Sequence, residues 1–251
     1  MADRRARLVL PRRLLTVMRL ITDPVFRSAK LYSWVGRDGM FQPFNHTKAD
    51  RYPRIFDQLC LMLGGKQDLR LLSFGCSTGE EVFSLARRLP NARIRGIDAN
   101  PANIARARRA GAADPRLSFV VADSADGEPA EHYDAILCMA VFRDSRLNCG
   151  PESCARFLKF TDFETAVTGL ARILKPGGLI AMRHSNFRFL DTAAGADFAT
   201  VLNVPYPFEP SPIYGPDNRL LPGLIDADCV FRKRLAASQS DRADLAEPPR
   251  L

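Results

Sequence analysis

The sequence predicts an α/β protein with a doubly wound, mostly parallel sheet and helices on both faces. Three observations carry this prediction. Residues 71–74 are almost wholly apolar, which is typical of a parallel strand covered on both faces. Gly75 and Gly79 bracket a loop that leads into a helical pattern. Further short apolar runs alternate with helix-length segments, which is the pattern of βαβ units.

The glycine loop after this strand favours a nucleotide ligand without a phosphate. Gly75 and Gly79 allow backbone angles and a close ligand approach that a Cβ would obstruct. Dinucleotide binding needs glycine at the third position of Gly-x-Gly-x-x-Gly, and that position is Ser77 here. Glu80 and Glu81 place negative charge at a helix N-terminus, where it would repel phosphate and attract an ammonium or sulfonium group. We therefore expect S-adenosylmethionine to be the ligand.

Two motifs carry a family resemblance. Gly-Cys-Ser-Thr-Gly-Glu-Glu at residues 75–81 resembles motif I of the class I methyltransferases, in the variant of the chemotaxis receptor methyltransferases. The Leu-Lys-Pro-Gly-Gly turn at residues 174–178 is a second mark of that fold. The resemblance covers residues 67–184. It implies a seven-stranded type of Rossmann-like sheet and methyl transfer from S-adenosyl-L-methionine.

Composition bounds the class of protein. The 251 residues are 46% hydrophobic and 25% charged, enough for one α/β domain with an added segment. No apolar run approaches 18 residues, so no membrane span is predicted. The N-terminus also lacks the pattern of a secretory signal. Six cysteines without a C-x-x-C pair and only three histidines indicate reduced thiols, no metal site and a cytoplasmic location.

Most of the net charge of +8 belongs to the N-terminal arm. Residues 1–37 hold nine basic and two acidic side chains, so the remainder is nearly neutral and no nucleic-acid groove is expected. Residues 8–21 predict a short helix whose apolar face consists of Leu14, Leu15, Met18 and Ile21. Three alternatives stay open for the arm: packing on the body, contact with an anionic membrane or an acidic partner, and a disordered tail.

We divide the chain into three parts. Residues 1–66 form the basic arm and a helical lid segment, residues 67–235 the methyltransferase domain, and residues 236–251 a disordered tail. The lid contains a helix at about residues 51–63. Arg51 or Tyr52 is expected near the cofactor carboxylate; the alternative has Tyr52 in the core and Arg51 in solvent.

The remaining elements follow in order along the chain. Strands are predicted at residues 69–74, 93–98, 117–122, 133–140 and 179–184, with a final antiparallel strand at 228–234. Helices are predicted at residues 79–89, from Asn100 and Pro101 onward, and from a capping box of Thr161 and Glu164 to residue 174. Residues 144–160 look like an insertion that lines the acceptor pocket.

The candidate cofactor site gathers around the strand ends. Asp98 ends the second strand about 20 residues past the glycine loop, where an acid accepts hydrogen bonds from ribose hydroxyls; a helix-capping carboxylate is the alternative. The resemblance implies that Asp123 and Ser124 meet the adenine amino group, unless they form a surface turn, and that the end of strand 4 faces the methyl group. The full expected set is Ser73, Gly75, Cys76, Ser77, Gly79, Glu80, Asp98, Ala99, Asn100, Asp123, Ser124, Met139 and Ala140.

The chemistry of the acceptor is less constrained. His184, at the end of strand 5, and His46, in the lid, are the candidate catalytic bases, since histidine titrates near neutrality. Strand 4 lacks the Asn/Asp-Pro-Pro-aromatic motif of many amino-group methyltransferases, which disfavours nucleobase and glutamine amino groups and leaves other amines open. The leading prediction is transfer to oxygen of a small or medium-sized acceptor. The alternatives are a protein-carboxyl methyltransferase of the chemotaxis-receptor type and a non-catalytic binding protein with this fold. A NAD-dependent oxidoreductase is disfavoured by Ser77 and the paired glutamates. The oligomeric state is left open.

Overall fold

The computed structural model describes residues 12–35, 41–42, 47–205 and 211–235. The proposed tail at residues 236–251 lies outside the described residues, as does the candidate base His46.

A single seven-stranded sheet forms the framework, in the order β3-β2-β1-β4-β5-β7-β6. Its strands are β1 (Arg70–Phe74), β2 (Arg93–Asp98), β3 (Leu117–Val121), β4 (Tyr133–Met139), β5 (Leu174–Arg183), β6 (Phe198–Asn203) and β7 (Asp228–Lys233). The first five strands pair in parallel, and β7 is antiparallel to both of its neighbours. The prediction of a doubly wound, mostly parallel seven-stranded sheet is therefore confirmed.

Six α-helices are described: α1 (Arg12–Thr22), α2 (Pro24–Val35), α3 (Pro53–Leu63), α4 (Glu80–Arg88), α5 (Pro101–Ala110) and α6 (Phe160–Ile173). Two cores lie on opposite faces of the sheet because successive strand residues point to opposite sides. Leu71 joins the core that contains α3, α4 and α5, whereas Leu72 joins the core that contains α6. Helices therefore cover both faces, as expected.

The N-terminal segment differs from the prediction. Helix α2 was not predicted, although Asp23 accepts a hydrogen bond from the Phe26 amide and Pro24 occupies the first helical turn, a recognisable start signal. Helix α1 contacts α2, and α2 contacts α5. The expected apolar face of α1 is exposed at Met18 and Ile21, so these side chains are not packed on the body.

The capping box at the start of α6 was a wrong prediction. The helix begins at Phe160 with Lys159 as its N-cap and without a side-chain cap. The Asn218 side chain instead accepts a hydrogen bond from the Phe160 amide at 2.7 Å, and Glu164 accepts one from the Ala193 amide. A distant loop therefore satisfies the helix terminus, and no local pattern could show it.

The C-terminal half of the sheet shows two further differences. The predicted turn at residues 175–178 is a bulge inside a longer strand: Leu174 pairs with Tyr133, and the ladder resumes at Leu179 opposite Ala135. Gly177 has a φ of 74° there, a left-handed value that suits glycine. Strand β6 was not predicted; it lies at the edge of the sheet and is only partly buried.

Candidate active site

A cavity of about 240 Å³ opens at the carboxyl ends of β1 to β4. This is the position at which open α/β sheets bind ligands. The predicted site residues that line it are Gly75, Cys76, Ser77, Asp98, Ala99, Asn100, Asp123, Met139 and Ala140. Those that do not line it are Ser73, Gly79, Glu80 and Ser124.

The loop after β1 is shaped for close approach of a ligand to the backbone. Gly75 has a φ of 70°, and a Cβ there would lie 2.6 Å from Cγ2 of Val141. Ser77 adopts a left-handed φ of 52°, which places its amide 2.9 Å from the Asp98 carboxylate as a donor. The Ser77 hydroxyl is buried at the cavity without a hydrogen-bond partner. A buried polar atom of this kind fits a polar ligand, because it would otherwise lose its hydration without compensation.

Asp98 is held rigidly at the end of β2. Its Oδ1 accepts hydrogen bonds from the Asn100 amide at 2.8 Å and from the Asn103 side chain at 3.0 Å, while Oδ2 accepts from Ser77. Burial raises the pKa of this carboxyl, and the three donors counteract the rise. Because each carboxylate oxygen has two acceptor positions, Oδ2 retains one for a ligand hydroxyl. Both sequence interpretations of Asp98 therefore have a structural counterpart: Asp98 fixes the turn and faces the cavity.

The side chains of Glu80 and Glu81 lie in different surroundings, and only that of Glu81 lines the cavity. Glu81 lines the cavity and accepts a hydrogen bond of 2.7 Å from the Ser73 hydroxyl. Burial raises its pKa to about 7, against the opposing effects of the Ser73 hydrogen bond and the Arg51 charge. Glu80, which the sequence analysis selected, instead accepts hydrogen bonds from the Thr78 hydroxyl outside this cavity. A helix turns by about 100° per residue, so adjacent glutamates face different directions.

The other residues outside the lining have structural contacts. Gly79 caps α4 with a φ of 95°, and a Cβ there would lie 2.8 Å from the Phe83 ring. Ser124 donates a hydrogen bond to Asp126 at 3.0 Å. Ser73 does not line the cavity, but its hydroxyl donates a hydrogen bond to Glu81, which does.

The segment before α3 covers the cavity. Lys48, Arg51 and Tyr52 line it, and the Arg51 guanidinium lies 5.2 Å from the centre of the Tyr52 ring. Tyr52 also packs against the partly buried edge of the α3 core. Arg51 and Tyr52 therefore lie at the cavity, and α3 itself begins later than expected, at Pro53.

His184 does not line the cavity. It follows β5 with a φ of 53°, and its ring lies 5.6 Å from the ring of Tyr52. Burial lowers its pKa to about 4, together with the charges of Arg51, Arg143 and Arg183. The imidazole is therefore neutral at pH 7, and Tyr52, which does line the cavity, is its ring neighbour. Of the candidate bases His184 and His46, His184 is the one within the described residues, and it lies beside the cavity.

The expected set omitted four lining residues beyond β4: Val141, Arg143, Ser145 and Asn148. Ser145 and Asn148 belong to the insertion at residues 144–160, which was expected to line the acceptor pocket, whereas Arg143 lies just before it. Within the described ranges, no cluster of three or more His, Cys, Asp or Glu side chains could hold a metal ion. The described helices include none long and apolar enough to cross a membrane.

Parts of the chain are similar to known proteins. A family model described as a methyltransferase domain matches residues 71–178. Trans-aconitate 2-methyltransferase from Methylobacterium radiotolerans is 30% identical over 112 residues, covering 45% of this chain and 36% of that protein. Malonyl-[acyl-carrier protein] O-methyltransferase 1 from Ilyobacter polytropus is 32% identical over 80 residues, covering 32% and 30%. The chain thus spans about a third of the length of these relatives.

A solved structure extends the likeness to most of the fold. The N-methyltransferase NodS from Bradyrhizobium japonicum, in complex with S-adenosyl-L-homocysteine, superposes with a TM-score of 0.50 at 19% identity. The match covers 84% of this chain and 99% of NodS, which at this identity supports the fold alone. Residues 71–178 therefore match the model of a methyltransferase domain, and the superposition with NodS supports the same fold for most of the chain.

Proposed function

We propose that this protein transfers the methyl group of S-adenosyl-L-methionine to an oxygen atom of a small or medium-sized acceptor. The observation that carries the proposal is the polar geometry of the cavity. Asp98 keeps an acceptor position at one strand end, and Glu81 presents a second carboxylate beside the glycine loop. Ribose hydroxyls and a methionine ammonium are the two donors of this cofactor that such carboxylates suit.

The remaining cofactor contacts follow from the lining. Asp123, after β3, is the acceptor for the adenine amino group, and the loop from Gly75 to Ser77 lies against the sugar and the methionine chain. Arg51 is the partner of the cofactor carboxylate, because its charge acts on Glu81 and both side chains line the cavity. The cofactor supplies the activated methyl group, and the protein supplies alignment and exclusion of water.

The proton held by Glu81 provides a specific binding test. A carboxyl with a pKa of about 7 is about half protonated at pH 7. An ammonium placed beside it favours the charged form, so binding of S-adenosyl-L-homocysteine should release a fraction of a proton. Calorimetry in two buffers with different ionisation enthalpies measures that fraction, and Glu81→Gln should eliminate it. Equal proton release in wild type and variant would remove Glu81 from the ammonium site.

A protein-carboxyl transfer reaction of the chemotaxis-receptor type is the second candidate, because residues 75–81 resemble that variant of motif I. A non-catalytic binding protein is the third. Incubation with deuteromethyl cofactor, a cell extract and the protein separates the three. The proposal expects label in small metabolites; label in protein bands favours the second candidate, and cofactor binding without any transfer favours the third.

We also propose reversible contact between α1 and an anionic membrane. Helix α1 contains no acidic residue and carries Arg12, Arg13 and Arg19, and its apolar side chains Leu14, Val17, Met18 and Ile21 are exposed, Ile21 by 71%. A basic amphipathic helix of this kind binds at the headgroup boundary, with roughly 1 kcal/mol of attraction per basic residue.

Vesicles rich in phosphatidylglycerol at low salt test this contact. Wild type should sediment with them, and deletion of residues 1–21 or the pair Met18→Gln and Ile21→Gln should abolish sedimentation without changing cofactor affinity. Leu61→Gln on α3 is the matched control, since Leu61 is an equally exposed apolar residue on another helix. Sedimentation of the double variant like wild type, or none of the wild type, would contradict the contact.

A further inference from the structure

Opposite charges line different parts of the cavity. Asp98 and Asp123 stand at the ends of β2 and β3. Arg143 lines the cavity from the loop after β4, and Lys48 and Arg51 line it from the segment before α3. In the sheet order β3-β2-β1-β4-β5, strand β1 separates Arg143 from the two aspartates. The charges of Arg51 and Arg143 both lower the pKa of His184, which follows β5. We call the part of the cavity beside Arg143 the acceptor end.

A rigid frame holds Arg143 in place. Its Nη2 donates a hydrogen bond of 2.9 Å to the side chain of Asn148, which also lines the cavity. The next residue, Asp144, is buried and donates its amide to the Asn186 side chain at 2.9 Å, while its carboxylate accepts hydrogen bonds from Arg146. Phe142, on the other side, is fully buried in the core. A cation on so constrained a segment is preorganised for a ligand.

Among the described residues, the acceptor end has no side chain suited to act as a general base. Apart from the carboxylates and the thiol considered next, the ionisable side chains in the described lining are the cations Lys48, Arg51 and Arg143 and the phenol of Tyr52. The lining carboxylates Glu81, Asp98 and Asp123 belong to the cofactor contacts proposed above. Cys76 also lines the cavity, and burial holds its pKa well above the usual range. A hydroxyl acceptor needs a base to take its proton, whereas an acceptor that arrives as an anion does not.

We propose that the methyl acceptor is a small organic carboxylate, anchored by Arg143; this rests on the methyl-transfer function proposed above. One carboxylate oxygen forms a bond to the methyl carbon with its own lone pair as the carbon–sulfur bond breaks. The bonding electrons pass to sulfur, so the carboxylate anion and the sulfonium cation become a neutral ester and a neutral thioether. No proton is transferred. The ester has lost the charge that Arg143 attracts, which favours its release.

The chemical nature of the labelled product tests this proposal separately from methyl transfer itself. The full chain is incubated with deuteromethyl cofactor and an ultrafiltered small-molecule extract, and the labelled product is then treated with mild alkali. A carboxylate ester releases deuterated methanol, whereas an ether or an N-methyl amine keeps its label. Release is the expected result. A labelled product that withstands alkali overturns the carboxylate proposal and leaves the methyltransferase function standing; no labelled product at all overturns both.

Variants of Arg143 test the anchor. Arg143→Gln should lower the yield of alkali-labile product at least tenfold with unchanged affinity for S-adenosyl-L-homocysteine, and Arg143→Lys should retain part of it. Arg109→Gln is the control, since Arg109 is exposed in the last turn of α5. In the free protein, nuclear magnetic resonance should show that the pKa of His184 rises in Arg143→Gln and not in the control. Wild-type yield in Arg143→Gln, or loss of cofactor affinity in that variant, would overturn the anchor.

Discussion

The Ser73 hydroxyl donates a hydrogen bond of 2.7 Å to the Glu81 carboxylate, and this contact joins β1 to α4 at the floor of the cavity. Ser73 is fully buried in the strand, and Glu81 stands eight residues later, one residue into the helix. The acid at the cavity is thereby supplied from the helix and oriented by the strand. Burial leaves this carboxyl poorly solvated, and the loss of solvation raises its pKa to about 7.

Removing the charge of Glu81 should weaken cofactor binding. Glu81→Gln keeps the shape and a hydrogen-bond acceptor but loses the ion pair with an ammonium, so affinity should fall by about 1.5–3 kcal/mol. Calorimetry with S-adenosyl-L-homocysteine measures the change. Glu80→Gln is the control and should bind like wild type, because Glu80 contacts Thr78 outside the cavity. A larger loss in Glu80→Gln than in Glu81→Gln would reverse the assignment.

Asp98→Ala should affect both binding and folding. The loss of cofactor affinity should be about 1.5–3 kcal/mol, as for hydrogen bonds to a charged group. The structure adds three N–H donors that would lose their acceptor, so the melting temperature should fall as well. Asp98→Asn retains one acceptor oxygen and should unfold less easily than Asp98→Ala. Wild-type affinity in a folded Asp98→Ala protein would remove Asp98 from the site.

A side chain at Gly75 should abolish cofactor binding through Val141. In Gly75→Val, the Cβ would lie 2.6 Å from Cγ2 of Val141, and the rest of the side chain would enter the space for the ligand. A non-glycine residue at this left-handed φ adds strain of about 1–3 kcal/mol. Val141→Ala should partly restore binding to Gly75→Ala by relieving the contact alone. Undiminished affinity in folded Gly75→Val would show that the loop does not hold the cofactor.

Two groups should give opposite pH dependence of stability. Below pH 6.5 the unfolded chain gains a proton at His184 that the folded protein accepts only near pH 4, so acidification through this window is destabilising. Between pH 4.5 and 7 the folded protein keeps a proton on Glu81 that the unfolded chain has released, so a rise in pH through this window is destabilising. The two effects offset each other where the windows overlap.

Urea unfolding of two variants separates these effects. Relative to wild type, His184→Asn should lose stability as the pH rises from 4.5 to 6.5, because only the Glu81 effect remains. Glu81→Gln should show the reverse slope, each by at most about 1.4 kcal/mol per pH unit. Parallel profiles for the wild type and both variants would contradict the two pKa shifts.

His184→Asn should also retain methyl transfer. A carboxylate acceptor needs no base, and His184 stands behind Tyr52 rather than in the cavity lining. Asparagine tolerates the left-handed backbone at this position. Single-turnover transfer should therefore remain within a few-fold of wild type at pH 7, by the usual size of contributions from residues that only support a site. A loss of about a hundredfold or more, the range of general-base catalysis, would restore His184 as a base.

Local sequence patterns were sufficient where local physics determines the structure. The strand from Leu71, the glycine loop and the Asn100 cap of α5 depend on neighbours in the chain, and the structure shows all three. The start of α6 depends on a distant residue, Asn218, which accepts a hydrogen bond from its first amide. The position of Arg143 depends on Asn186, which binds the amide of the next residue, Asp144. Nothing in the surrounding sequence indicates such partners. The choice of Glu80 over Glu81 failed for another reason, since the helical phase at the first turn decides which carboxylate faces the ligand.

Calorimetry with S-adenosyl-L-homocysteine and NADH, titrated side by side into the full chain, tests the central claim most directly. The polar cavity, with Ser77 at the position that a dinucleotide site reserves for glycine, predicts that the homocysteine compound binds with a Kd of order 10⁻⁶ M, about 8 kcal/mol. NADH should give no measurable heat of binding. Binding of NADH together with no binding of S-adenosyl-L-homocysteine or S-adenosyl-L-methionine would contradict the account.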